Sequence, residues 1–157
     1  MSVNKGKTER AEKVGVIEAL KKDGYSEAVI DHWLNPRNLR EMGNYDGYSK
    51  KITSSCGDSM WIWLKIKDNV IQNATYLSDI CIGAISSGSM LTELVKGKRI
   101  AEALGISSDD ILRALGGLPE NFVHCATLAE AALKVAIRDY NAYKAAPWKR
   151  FYERKYK

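Results

Sequence analysis

The sequence predicts an α/β domain of the α+β kind, a small antiparallel sheet packed by helices, and three observations carry that prediction. Met60-Trp-Ile-Trp-Leu-Lys-Ile-Lys67 alternates between two sets of side chains with the period of a strand. Asp68-Asn69 supplies a turn, and Val70 to Leu77 returns as a second strand, so the two form an antiparallel meander with one apolar face. Around them lie segments with apolar residues at helical spacing, the longest marked by Leu128, Ala132, Val135, Ala136 and Tyr140. At 157 residues, 45% of them apolar, the chain has the size of one globular domain with flanking extensions. A chain of this length buries about two-thirds of its unfolded surface and folds without cross-links.

The elements follow in order. Ala11, Val14, Ile17 and Leu20 predict a short amphipathic helix that Gly24 ends. Tyr25 to Leu34 reads as a second helix with Ser26 as its N-cap, stopped by Asn35-Pro36 because the residue before a proline is pushed out of the helical region. His32, inside it, reads as a surface or packing histidine. Residues 38–50 are loop-like, and Lys51 to Ser55 form a strand that leads into Cys56-Gly57-Asp58. On the next strand Met60, Ile62, Leu64 and Ile66 share the core face. Trp61 and Trp63 lie on the other, which is therefore expected to be covered as well, by the N-terminal helix or another subunit.

Cys81 directly follows the last strand and opens a helix to Lys96, whose small residues Gly83, Ala84 and Ser86 to Ser89 permit close approach. Gly97-Lys98 is not a phosphate loop, because the upstream glycine spacing is missing and Arg99 follows. Ile100 to Gly105 and Ser107 to Leu115 predict two short helices, the second capped by Ser107 with Asp109 and Asp110 in its first turn. After the turn Gly116 to Pro119, His124-Cys125 begins a long helix to about Ala145. Pro147 restarts a short basic, aromatic helix with Trp148, Phe151 and Tyr152.

Composition removes several function classes. No apolar run reaches the roughly 20 residues that span a bilayer, and the N-terminus lacks the apolar core of a secretory signal. Glu9, Glu12, Glu18 and Asp23 fit poorly with a transit peptide, so the expected location is cytoplasmic. The net charge of +5 resides between Lys144 and Lys157, where six basic residues face Glu153 alone. The basicity belongs to a tail, so neither nucleic acid nor a membrane is expected as a partner.

Chemistry concentrates in all three cysteines, Cys56, Cys81 and Cys125, joined by Asp58 and His124. A reducing compartment keeps three cysteines as thiols. Each candidate ligand falls at the end of an element, where distant segments converge. Cys81 and Cys125 also sit at helix starts, whose dipole favours thiolate. Three thiolates with one carboxylate or imidazole suit a four-coordinate soft site for Fe–S or Zn²⁺. There is no Cys-x-x-Cys knuckle, so spacing alone leaves three structural thiols as an alternative.

Tyr25-Ser-Glu-Ala-Val-Ile-Asp-His-Trp-Leu-Asn-Pro-Arg-Asn38, Cys56-Gly-Asp58, Thr92-Glu-Leu-Val-Lys-Gly-Lys98 and His124-Cys-Ala-Thr-Leu-Ala-Glu130 together resemble the IscU/NifU-type iron–sulfur cluster assembly scaffolds. The resemblance runs in order from Tyr25 to about Tyr143. It divides the chain into an N-terminal extension (1–24), a scaffold domain (25–143) and a basic aromatic tail (144–157). It implies a three-stranded antiparallel sheet packed by helices, with the site at one end. It also implies that Cys56, Cys81 and Cys125 hold a nascent [2Fe–2S] cluster, with Asp58 and His124 as alternative or fourth ligands. Iron arrives separately, a cysteine desulfurase delivers sulfur as a persulfide with Cys125 as first candidate acceptor, and the cluster passes to recipient apo-proteins. A homo-oligomer is compatible with this role, as is zinc in the apo protein.

Leu118-Pro-Glu-Asn-Phe122 departs from the Leu-Pro-Pro-Val-Lys that many bacterial members carry before His-Cys, which argues against the dedicated chaperone pair as a partner. Two other classes use the same residues. A thiol enzyme would need His124 as base for Cys125 or Cys81, yet adjacent residues at a helix start point apart and no oxyanion-hole motif is evident. A zinc-binding interaction protein would take the same four ligands. The expectation is a scaffold and sulfur acceptor rather than a turnover catalyst.

Overall fold

The computed structural model describes residues 2–155. In chain order the elements are α1 (Ser2–Lys22), α2 (Glu27–Leu34), β1 (Gly47–Tyr48), β2 (Ile52–Thr53), β3 (Ser59–Lys67), β4 (Val70–Ser78), α3 (Ile82–Val95), α4 (Ile100–Leu104), α5 (Ser108–Leu115), a 3-10 turn (Glu120–Phe122), α6 (Val123–Ala145) and α7 (Trp148–Lys155).

The sheet is three strands wide with a broken edge. β3 pairs antiparallel with β4 along one side, from Met60 opposite Ser78 to Lys67 opposite Val70. Along its other side it pairs first with β1, Gly47 opposite Leu64, and then with β2, Ile52 opposite Met60. The register slips by one residue between the two pieces, where Lys50 takes a left-handed φ of 58°. The expected strand Lys51 to Ser55 thus shrinks to Ile52–Thr53. The β3–β4 turn uses left-handed Asp68 and Asn69 (φ 53° and 61°), the geometry that matches the twist of a two-residue hairpin.

The inner face of the sheet carries the expected Met60, Ile62, Leu64 and Ile66, all buried against α3 and α6. Small residues bring α3 down onto the sheet: a Cβ on Gly88 would overlap the ring of Tyr76, itself fully buried with its hydroxyl donating to the Ile85 carbonyl at 2.6 Å. α6 buries more than the expected stripe. Ala129, Leu133 and Ile137 join Leu128, Ala132 and Ala136 inside, while Val135 and Tyr140 are only half-buried.

The outer face is covered, but differently from the expectation. Tyr48 on the neighbouring edge stacks on Trp63 at 5.2 Å, and Lys51 lies over Trp61 at 5.5 Å. α1 packs instead on α2. It is also longer than expected, 21 residues, and ends at Gly24 with φ 88°. Ser26 caps α2 by accepting from the Val29 N–H at 3.1 Å, and Ser107 forms a reciprocal capping box with Asp110 at the start of α5.

His32 is a packing histidine, buried between α2 and α3. Its Nδ1 lies 2.7 Å from the Ser89 hydroxyl, which also accepts from the Arg37 N–H at 2.9 Å. Arg37 in turn pairs with Asp31 at 2.6 Å and Glu93 at 3.5 Å, so Asn35 to Asn38 is a fastened corner rather than a free loop.

Candidate metal centre

Three junctions of the fold meet at one end of the sheet. The β2–β3 turn is closed by the Ser54 N–H donating to the Asp58 carbonyl (2.8 Å) and the Gly57 N–H to the Ser54 carbonyl (3.0 Å), with Gly57 at φ 91°. Without a Cβ, Gly57 makes this left-handed turn at no steric cost. The β4–α3 junction is fixed by Asp79, which accepts from the Ser59 N–H at 2.7 Å and donates its own N–H back to the Ser59 carbonyl at 3.2 Å. That pins Cys81 as the N-cap of α3. The 3-10 turn delivers His124 and Cys125 in the first turn of α6.

Four of the five expected ligands come together. Cys81 Sγ lies 3.9 Å from Cys125 Sγ. Cys125 Sγ is 3.7 Å from Asp58 Oδ2 and 3.5 Å from His124 Nε2, and the imidazole is 3.0 Å from the same carboxylate oxygen. Asp58, His124 and Cys125 offer ligand atoms all within 4.8 Å of one another, and Cys81 joins through Cys125. Cys56 stands apart, exposed on the turn. It precedes Asp58 by two residues, however, so its Cα lies within about 7 Å of that of Asp58.

The two inner cysteines do not ionise alike. Cys81 is held down to about 6, first by the hydrogen bond from the Cys125 thiol and also by the Ala84 and Gly83 N–H groups at the start of α3, against the opposing effect of burial. Cys125 moves the other way, well above the usual thiol range, because its proton is held against Cys81, the site is buried, and Asp58 adds negative charge. The expectation that both helix starts favour thiolate is met at Cys81 and reversed at Cys125. Two anions at this spacing in a partly dry site repel, so the pair keeps one proton.

The site has walls that the sequence did not flag. A Cβ on Gly83 would come within 2.9 Å of Cys125 Sγ and 3.0 Å of Phe122 Cβ, so only glycine lets α3 and α6 approach this closely here. Tyr25 packs on Phe122 with ring centres 6.0 Å apart, and the charge of Cys81 helps push its hydroxyl pKa up, after burial. These rings shield the inner sulfurs on one side. Ile80, 93% exposed beside Cys81, is an apolar side chain at the open rim. A cavity of about 660 Å³ between α3, α4 and α5 includes none of these residues.

Comparison with known proteins adds the family. The NifU-like N terminal domain matches residues 24–147. The chain is 46% identical over 116 residues to the iron–sulfur cluster assembly scaffold protein IscU 1 of Archaeoglobus fulgidus, covering 74% of this chain and 76% of that protein. It is 41% identical over 129 residues to the iron–sulfur cluster assembly scaffold protein IscU of Escherichia coli, covering 78% of this chain and 98% of that one. The crystal structure of FiSufU from Fervidobacterium islandicum superposes with a TM-score of 0.58 at 20% identity, over 72% of this chain and 96% of that one, which shows a shared fold.

Proposed function

The chain belongs to the NifU-like N-terminal domain family, and from that premise we propose that it is a scaffold on which an iron–sulfur cluster is built and then handed to apo-proteins. The observation that carries the reading is the convergence of Cys81, Cys125, Asp58 and His124 at one end of the sheet, with Cys56 exposed on the turn that carries Asp58. Thiolates suit iron and sulfide. A carboxylate or imidazole in place of a fourth thiolate holds a soft cluster less firmly, which suits a protein that must release it.

In this reading the first product is a [2Fe–2S] cluster on Cys56, Cys81 and Cys125, with Asp58 or His124 completing the set. Sulfur comes from a cysteine desulfurase at the persulfide level, and iron and the electrons that reduce that sulfur to sulfide are supplied separately. Cys125 remains the proposed persulfide acceptor, although it is fully buried and its pKa is pushed up, so sulfur reaches it only after the site opens. The protein acts as scaffold and sulfur acceptor, without turnover chemistry of its own, in a reducing cytoplasmic setting that keeps the thiols free.

Zinc is a second reading of the same atoms. The spacings of 3.0, 3.5 and 3.7 Å among Asp58, His124 and Cys125 approximate the edges of a tetrahedron, roughly 3.3–3.8 Å for bonds of about 2.0–2.3 Å. With Cys81 as fourth ligand, Zn²⁺ would occupy the site between rounds of assembly.

Anaerobic reconstitution with iron, cysteine and a cysteine desulfurase tests the proposal. The expected result is a visible [2Fe–2S] spectrum that moves to an apo-ferredoxin on mixing. A protein that binds zinc but never forms a chromophore, and that unfolds when the zinc is chelated, would overturn it.

A further inference from the structure

We propose that α7, which lies outside the family-matched stretch, and the cleft between α1 and α2 form a self-complementary interface, in which α7 of one copy docks into the cleft of a second copy. α7 is anchored through Arg150 yet leaves its rings exposed. Arg150 lies over the Tyr143 ring at 4.4 Å and the Tyr45 ring at 5.3 Å, and donates to the Tyr45 carbonyl at 3.1 Å and to the Asp46 carbonyl. Around this anchor Trp148, Phe151 and Tyr152 remain 61%, 79% and 65% exposed, at i, i+3 and i+4 on one helical stripe. That stripe offers roughly 400 Å² of aromatic surface, within the size range in which a monomer's largest apolar patch is often functional. The fixed attachment lowers the ordering cost of docking.

The receptacle lies on the same chain. Val16 of α1 and Trp33 and Leu34 of α2 form the apolar part of a cleft of about 500 Å³, bordered by Glu9, Glu12 and Lys13. Cavities of about 300–1,000 Å³ take ring-sized groups. The charges also match, because the cleft border carries two carboxylates and the segment holding α7 carries all of the chain's net positive charge. The exposure of the three rings shows that α7 does not fill the cleft of its own chain. Exchange between two copies is isologous, each supplying one helix and one cleft. Two stripes of about 400 Å², each covered by an equal area of cleft, would bury about 1,600 Å² in total, within the roughly 1,200–2,000 Å² of a specific interface.

Sedimentation velocity over a concentration series, on the full chain without metal, tests this. Wild type is expected to show a reversible dimer that weakens as salt rises. The surface variants Trp148→Ala/Phe151→Ala (helix) and Glu12→Lys/Val16→Lys (cleft) should each raise the dimer dissociation constant about tenfold or more, with circular dichroism unchanged. A fluorescent helix variant mixed with the cleft variant should regain association, because one intact helix then meets one intact cleft. A wild type that stays monomeric at every concentration overturns the proposal, as does a dimer indifferent to both variants. Monomers that bind phosphatidylserine vesicles through α7 would likewise reassign the helix to a membrane surface.

Discussion

Cys81 Sγ and Cys125 Sγ stand 3.9 Å apart, with the Cys81 pKa drawn down to about 6 and that of Cys125 pushed up. Two junctions far apart in sequence thus share one proton. In metal-free protein at neutral pH, a brief iodoacetamide pulse should modify Cys81 and the exposed Cys56 well before Cys125. Peptide mass mapping reads the order, and early modification of Cys125 would contradict the assignment.

The same pair sets a pH dependence. Cys81 is depressed from 9.0 to about 6 in the folded state, so its contribution is fully present above about 9 and is lost as pH falls toward 6. Cys125 is raised, so its contribution is intact below about 9 and is lost above it, where the unfolded thiol ionises and the folded one does not. Urea midpoints of the metal-free protein should therefore rise between about pH 6 and pH 9, relative to Cys81→Ser, and fall beyond. A parallel profile in the variant would count against the shared proton.

Asp58 touches both His124 and Cys125, so Asp58→Ala removes the hard oxygen while all three cysteines stay in place. A reconstituted cluster should persist several-fold longer in a chelator chase followed by its visible absorbance. Equal or faster loss would mean that Asp58 does not promote release.

Two glycines of α3 act at different places. Gly88→Ala forces a Cβ into the Tyr76 ring and should lower stability by about 1–3 kcal/mol, as overpacking does. Gly83→Ala pushes on Cys125 Sγ and Phe122, so its main effect should fall on the site. Chemical denaturation and zinc affinity, measured on both, should separate the two outcomes.

Arg150 joins α7 to the body through two rings and two carbonyls, a geometry that needs a planar guanidinium. Arg150→Lys should leave global stability within about 1 kcal/mol while amide exchange in 148–155 accelerates. Unchanged protection there would show that the anchor lies elsewhere.

The sequence made much of this legible because β3 and its neighbours keep strict periods. Met60, Ile62, Leu64 and Ile66 could only face one core, and Ser26 and Ser107 could only cap. The ligands were legible as residue types at element ends. What periodicity does not encode is contact between distant segments. The cover of Trp63 by Tyr48 depends on a one-residue slip at Lys50. The opposite ionisation of Cys81 and Cys125 depends on a 3.9 Å approach that helix-dipole reasoning treats one helix at a time. Gly83 was visible as a small residue, but not as the one that sets the distance between α3 and Cys125.

The interrupted edge beside β3 bears on solubility. A long flat border of free N–H and C=O groups invites strands from other molecules and seeds fibrils. Here two-residue pieces offset by the Lys50 bulge offer no such template, and the far border is engaged by the Leu39–Tyr76 bridge and by the Asn38 carbonyl on the Tyr76 N–H. The turn that carries Cys56 therefore sits beside a border that offers no template for amyloid-like growth.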